Sequence, residues 1–369
     1  MARLALCGNV FPADTWEQVH HSLQGPVRQW AQGLQGNVPP GFGLSLGANL
    51  AKDCLVNPHK GTALKTALDQ SGVQVWTANA FPFGGFHSTL VKEKAFLPDW
   101  SHPERLAYTL QVAELVASWQ EPGACVSVST CPLGYGPVTR DSNEVIRHLE
   151  RLAHGLSWIK TQTGVEVVVG FEPEPDGALE SVTELCSWLA ASGVSTQHIG
   201  VCWDLCHGEV VGESPAEAIL AIQKNQIPVA KVQISSAITW QGPPSSADFA
   251  WLEGLARDRW FHQVRQRSAD GPGRQWTDLG LALEDLKATS KEVQTWVHCH
   301  IPLYKKRFGE SMKATPWVSA VGTALEAGLE DFEVETYTLS TLPPETLGAD
   351  SVVLAMVKEY QSAEKELGC

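Results

Sequence analysis

The chain has 369 residues, and 27 Lys and Arg against 41 Asp and Glu give a formal charge of −14. Hydrophobic residues make up 43% and charged residues only 18%, which excludes a disordered chain and allows a large core. The acidity, with no basic run beyond Lys305-Lys306-Arg307, argues against a nucleic acid or an anionic membrane as partner.

No stretch approaches the ~18 consecutive apolar residues of a membrane span, so direct membrane insertion is not expected. The first apolar stretch ends in Asn9-Val10-Phe11-Pro12, which is no signal-peptide cleavage site. The nine cysteines are scattered without a CxxC pair, the pattern of reduced thiols in the cytoplasm. Along the chain, short runs rich in Val, Ile, Leu and Cys predict strands at residues 4–10, 42–46, 73–78, 125–130, 165–171, 199–204, 230–235, 295–300 and 332–336. Several are near-continuous apolar runs, as expected of parallel strands covered on both faces. Between them lie helical spacings. Leu106, Leu110, Ala113 and Ala117 form one such face, and Val145, Leu149, Leu152, Leu156 and Ile159 another. Asp14, Ser142 and Ser214 stand where N-caps belong.

Repeated β–α units imply right-handed crossovers and a parallel sheet. An open doubly wound sheet and a closed (β/α)8 barrel both satisfy that pattern. No GxGxxG follows a strand, and polar residues collect at the ends of many strands rather than at one crevice. That favours a single α/β TIM barrel, whose site gathers side chains from several strand ends. Nine candidate strands for eight places imply an insertion at about 238–310, before the last barrel strand. The strand at 295–300 is the suspected extra one.

The strand ends carry the chemistry. The fifth ends in Phe171-Glu172-Pro173-Glu174-Pro175, where Glu172 is the expected inward residue. The sixth ends in Trp203-Asp204, with His207 three residues on. The seventh carries Gln233. Glu333 and Glu335 alternate through Val334 and would share the inner face. His298 and His300 share a face in the same way, with His262 a weaker candidate. Earlier ends supply Asn9, Asn79 and His87. The run from Asn79 to His87 reads as an aromatic, glycine-rich loop over the barrel mouth. Carboxylates and imidazoles inside apolar strands are costly to bury unless paired or bound to a metal. Oxygen-rich ligands suit Mg²⁺ or Mn²⁺, and extra imidazoles admit Zn²⁺ or Fe²⁺. Two glutamates across a metal suit proton transfer next to a carbonyl through a metal-stabilised enediolate.

Glu172-Pro173, Asp204-x-x-His207, Val232-Gln233-Ile234 and the last-strand Glu335 resemble the xylose isomerase-like TIM-barrel superfamily. That group includes sugar epimerases, hydroxypyruvate isomerase and a DNA-repair endonuclease. A longer set of motifs, at residues 79–87, 96–100, 127–133, 171–175, 198–207, 231–237, 261–264, 298–302 and 333–338, looks like the EboE-type metabolite traffic proteins. The resemblance implies a sugar- or cyclitol-like substrate in a secondary-metabolite pathway, and partners from that pathway. It implies Glu172, Asp204, Gln233 and Glu335 as metal ligands, with Glu172 and Glu335 as the acid/base pair. His207 would meet substrate oxygens and complete the catalytic set. Gln233 stands where many members carry His. His298-Cys299-His300 departs from the simple epimerases and looks more like the extra metal-binding pair of the endonuclease branch. It adds His300 as a ligand and allows more than one ion. Asn79, His87 and His298 are the expected substrate contacts. The function so implied is an isomerase or epimerase of a small sugar, sugar phosphate or cyclitol. The other readings are a multi-metal phosphoesterase and a non-catalytic metabolite-binding or transport accessory protein.

Overall fold

The structure, a computed structural model, describes residues 2–34, 38–88, 90–137, 140, 142–268, 271–342 and 344–368. Eight parallel strands close into a barrel: β1 (Arg3–Cys7), β2 (Gly41–Ser45), β3 (Gln74–Asn79), β4 (Cys125–Thr130), β5 (Glu166–Phe171), β6 (Ile199–Asp204), β7 (Val229–Ile234) and β14 (Asp331–Val334). Between β7 and β14 runs a second sheet, all antiparallel: β8 (Ile238–Gln241), β9 (Val264–Ser268), β10 (Gly271–Trp276), β11 (Gln294–Val297), β12 (Arg307–Phe308) and β13 (Met312–Ala314). The expected strand at 295–300 falls here as β11 and stops at Val297.

Helices cover the barrel and begin where the sequence caps them. Ser142 and Ser214 accept from the backbone N–H of Glu144 and Glu217. At the first helix, Trp16–Ser22, the cap is Thr15 rather than Asp14. Asp14 Oδ1 instead takes the N–H of Gly85, at 2.7 Å, and so ties down the loop over the mouth.

Strand alternation separates two environments. In β7, Val232 and Ile234 pack outward into the main core, while Lys231 and Gln233 turn inward. In β14, Phe332 and Val334 pack outward and Glu333 turns inward. The register sets Glu333 beside Gln233 and Gln233 beside Asp204. The inner faces thus build a polar layer where apolar branched residues usually fill such a barrel. Lys231 Nζ lies 2.6 Å from Glu333 Oε2, with both side chains fully buried. Lys231 also reaches Thr77 Oγ1, Ala78 O and Asn79 Oδ1. Asn79 Nδ2 donates to both oxygens of Glu333 at 3.3 Å. Gly43 makes this possible, because a Cβ there would stand 1.7 Å from Glu333 Oε1.

The second sheet has its own core. Ile238, Trp240, Val264 and Val297 pack against Leu252 of helix Ser246–Leu255 and against Leu279, Ala282 and Leu286 of helix Leu279–Lys287. Pairing of Val264 with Val297 fixes what happens next. Residues just before β9 and just after β11 leave the sheet together, joined by His298 N–H to Gln263 O at 2.8 Å. Ile301 N–H then bonds Ser236 O, beyond the end of β7. The sheet so delivers His298 and His300 to the barrel mouth.

A carboxylate and imidazole site at the barrel mouth

A cavity opens at the C-terminal ends of the strands. Its floor is polar and its mouth aromatic. Glu172 follows β5, Asp204 ends β6, Glu335 follows β14, and His207 sits in the first turn of helix Leu205–Val211. All four are almost fully buried. Asn9 Nδ2 donates to Glu335 Oε1 at 2.7 Å. Asp204 Oδ1 is heavily used: it accepts from the N–H of Cys206 and of His207, and from Ser235 Oγ at 2.6 Å. The second oxygens differ. Asp204 Oδ2 and Glu335 Oε2 are buried without a hydrogen-bond partner, as is Asn9 Oδ1.

The electrostatics divide the carboxyls. Burial, with the charges of Glu335, Asp204 and Glu174, pushes Glu172 well above the ordinary carboxyl range, and Lys231 offsets only part. Burial, with Asp204 and Glu333, does the same to Glu335. Burial acts on Asp204 too, but His207, His300 and the hydrogen bond from Ser235 outweigh it, and its pKa falls. Asp204 is therefore the anion of the set, while Glu172 and Glu335 hold protons readily.

One donor atom each from Glu172, Asp204 and His207 lies within 4.8 Å of the others. The same is true of Asp204, His300 and Glu335, and of Cys206, His207, His298 and His300. Buried oxygens without partners among such donors are what a divalent cation would satisfy, so the residues fit a metal.

The expected residues are placed as follows. Glu172, Asp204, Glu335, His207, His298 and His300 come together at the cavity or its floor. Gln233 lies beneath, fully buried, facing Glu333 at 3.5 Å and Cys202 Sγ at 3.1 Å. Asn79 lines the cavity and also belongs to the Lys231–Glu333 layer. His87 is not brought to the cavity. Its Nε2 is 2.7 Å from Asn9 O, and its ring borders a separate small hollow behind Phe86. His262 supports the loop, with Nδ1 at 2.9 Å from His298 O. Glu333 and Glu335 both turn inward, but Glu333 is spent on Lys231. Glu174 lines the cavity beside Glu172, where only Glu172 was expected. Period two puts residues 172 and 174 on one face, and the pair keeps it although the flanking prolines end the strand. His298 and His300 likewise lie past the end of β11, and the return toward Ser236 brings them together.

Four further features escaped sequence reasoning. Lys231 inside an apolar strand was a legible signal of a buried ion pair. Cys206 and Gln263 carried none. The aromatic mouth, with Phe81, Phe86, Phe96, Trp260, Phe261 and Tyr337, was legible only in its first part. Two of its polar side chains are spent inside the protein. Trp260 Nε1 donates to Phe86 O, and Lys92 Nζ donates to Trp260 O and pairs with Asp278.

A closed parallel barrel with its polar site at the C-terminal face is the arrangement of TIM barrels. Solved structures share the fold across the whole chain. A xylose isomerase-like TIM barrel protein from Mycobacterium smegmatis in complex with magnesium matches over 100% of this chain and 98% of its own, with TM-score 0.55 and 12% identity. A putative sugar phosphate isomerase/epimerase from Anabaena variabilis matches over 100% and 99%, with TM-score 0.53 and 13% identity. A D-tagatose 3-epimerase-like protein matches over 100% of both chains, with TM-score 0.50 and 11% identity. At these identities the likeness is one of fold. No protein-family model matches the chain. No curated protein matches it.

Proposed function

We propose that the chain is a divalent-metal-dependent isomerase or epimerase acting on a small sugar, sugar phosphate or cyclitol. One observation carries the reading: Glu172 and Glu335 line one cavity, and each is raised by burial and by neighbouring carboxylates. Carboxyls tuned upward in this way exchange protons near neutral pH. One removes the carbon-bound proton next to a carbonyl, and the other returns a proton at the neighbouring carbon or the opposite face. Asp204, Glu335 and Glu172 would hold the cation, with His300 within reach and Gln233 beneath them. Mg²⁺ or Mn²⁺ suits the oxygen donors. When bound, such an ion supplies polarisation of the substrate's carbonyl and hydroxyl oxygens and stabilises the enediolate. Asn9 holds Glu335 in place, and the aromatic mouth excludes water. With Lys92 already paired, a neutral polyol is favoured over a phosphate among these substrates.

The magnesium complex and the epimerase-like neighbours agree with this reading in kind, as analogy. The EboE-type reading and the secondary-metabolite pathway rest on the sequence motifs. The cytoplasmic reading rests on the unpaired thiols; among the described residues no helix is long and apolar enough to cross a membrane. A multi-metal phosphoesterase is the second reading, because His207, His298 and His300 do converge.

Deuterium uptake from solvent, measured on metal-loaded protein with panels of sugars, sugar phosphates and cyclitols, tests the proposal. Uptake is expected for at least one of them, and Glu335→Gln should slow it by about 10²–10⁴-fold. A ligand that binds in the cavity while no member of the panels exchanges would sink the isomerase. Phosphate release from an aryl phosphate would favour the phosphoesterase.

A further inference from the structure

Three imidazoles and a thiol meet beside the carboxylates, and their protons can be counted. His207 Nδ1 lies 2.8 Å from Pro173 O. His300 Nδ1 lies 2.7 Å from Glu335 O. A carbonyl oxygen only accepts, so both Nδ1 atoms carry hydrogen. His298 Nδ1 lies 2.6 Å from Gln263 Oε1. The far end of that amide fixes its orientation, since Gln263 Nε2 donates to Pro175 O at 2.8 Å. His298 therefore also donates from Nδ1. In each neutral ring the other nitrogen, Nε2, is then a bare lone pair.

These lone pairs converge. His207 Nε2 is 3.0 Å from His298 Nε2. His300 Nε2 is 3.5 Å from Cys206 Sγ. Two acceptors face to face repel unless something positive lies between them. Each neutral ring has its one hydrogen committed at Nδ1, so it has none to place between them. The spacings suit a metal ion. Metal–nitrogen bonds of about 2.0–2.1 Å at near-tetrahedral or slightly narrower angles hold two nitrogens ~3.0–3.4 Å apart, and a metal–sulfur bond of about 2.3 Å sets sulfur and nitrogen ~3.5 Å apart. Each Nδ1–H donating to an oxygen is the outer support that metal-bound imidazoles usually have.

We propose that Cys206, His207, His298 and His300 form a second cation site, of zinc type, beside the oxygen site of Glu172, Asp204 and Glu335. All four are at most 4% exposed. Thiolate with imidazoles selects Zn²⁺, whereas carboxylates suit Mg²⁺ or Mn²⁺, so the two sites sort different ions. Binding releases the Cys206 proton to solvent, and the thiolate takes its place as ligand. His300 is within reach of both donor sets, and its contact with sulfur assigns it to this one. The three histidines line the cavity, so the ion has a path of entry and faces the ligand space. His207 then meets substrate through the ion it holds. The assignment does not rest on the isomerase reading.

The test is made on the full chain, stripped of metal by a chelator and titrated with Co²⁺. A thiolate-to-cobalt charge-transfer band is expected, saturating at one equivalent. Cys206→Ser should abolish the band. Cys299→Ser should leave it, since Cys299 Sγ turns to Val297 O instead. Gln263→Leu, which removes the outer support of His298, should weaken Zn²⁺ binding about 10–100-fold. Glu335→Gln should keep the band while slowing any proton exchange, which separates this proposal from the isomerase. X-ray absorption on the unmutated zinc protein covers a Cys206 variant that fails to fold; one sulfur at about 2.3 Å is expected. Zinc or cobalt bound with no sulfur neighbour and no charge-transfer band would overturn the site.

Discussion

The floor of the barrel and its mouth are built from the same residue types and behave in opposite ways. In the floor, Lys231 and Glu333 are fully buried and pair at 2.6 Å, and Asn79 and Thr77 take the remaining hydrogen bonds. At the mouth, Asp204 Oδ2 and Glu335 Oε2 have no partner, and imidazole lone pairs face each other. A buried charge pair completed by hydrogen bonds holds a structure in one arrangement. Carboxyls left incomplete in a cavity are arranged for something that is not protein. The difference teaches that the chain separates the charge it folds around from the charge it works with, one strand layer apart.

Mutations at the two levels should therefore differ in sign. The largest effect is expected in the floor. Lys231→Met leaves Glu333 buried and unpaired, and should cost about 3–5 kcal/mol in urea unfolding. Adding Glu333→Leu should recover much of that loss; no recovery would mean that Lys231 stabilises by more than its pairing. The next effect is at the mouth of the metal-free protein. His300 titrates at about 4 when folded, below its ordinary 6.5, so the unfolded chain binds more protons between those values. Its contribution is present above pH 6.5 and is lost as pH falls toward 4, on the order of 3 kcal/mol. His300→Asn should remove that part of the pH dependence, as read by denaturation at pH 7 and pH 4.5. Gly43→Ala tests the floor more gently. Its Cβ would displace Glu333 from Lys231, and overpacking of this kind costs about 1–3 kcal/mol. The smallest effect has the opposite sign. Glu335→Gln relieves the cost of burying a carboxylate beside Asp204 and should raise metal-free stability slightly at neutral pH. Saturating Mn²⁺ should reverse the order, stabilising the parent by about 2.7 kcal/mol at a hundredfold excess over the dissociation constant and the variant by less. If Glu335→Gln destabilises the metal-free chain as Lys231→Met does, floor and mouth are not distinct.

The barrel strands were legible because parallel strands buried on both faces are continuous apolar runs. The predicted 125–130 and 199–204 coincide with β4 and β6. Residues 4–10 ran too long, since the strand stops at Cys7 and Gly8–Val10 turns to place Asn9 on Glu335. The second sheet was mostly hidden. Strands such as β9 bury polar side chains, Arg265 against Asp176 and Gln266 against Thr289 and Thr295, and no apolar run marks them. The inward direction of Glu333 and Glu335 followed from Val334 alone, because alternation is a local property of the chain.

By itself the sequence determined the eight-stranded architecture and the carboxylates at its strand ends, since burial and period two act over a few residues. Only the tertiary structure decided which carboxylate is paired and which is left open. Lys231 meets Glu333 across a hundred residues, and Cys206 meets His300 only because the second sheet folds back over the mouth. Contacts of that separation are set by register and packing between elements, and no stretch of local sequence records them.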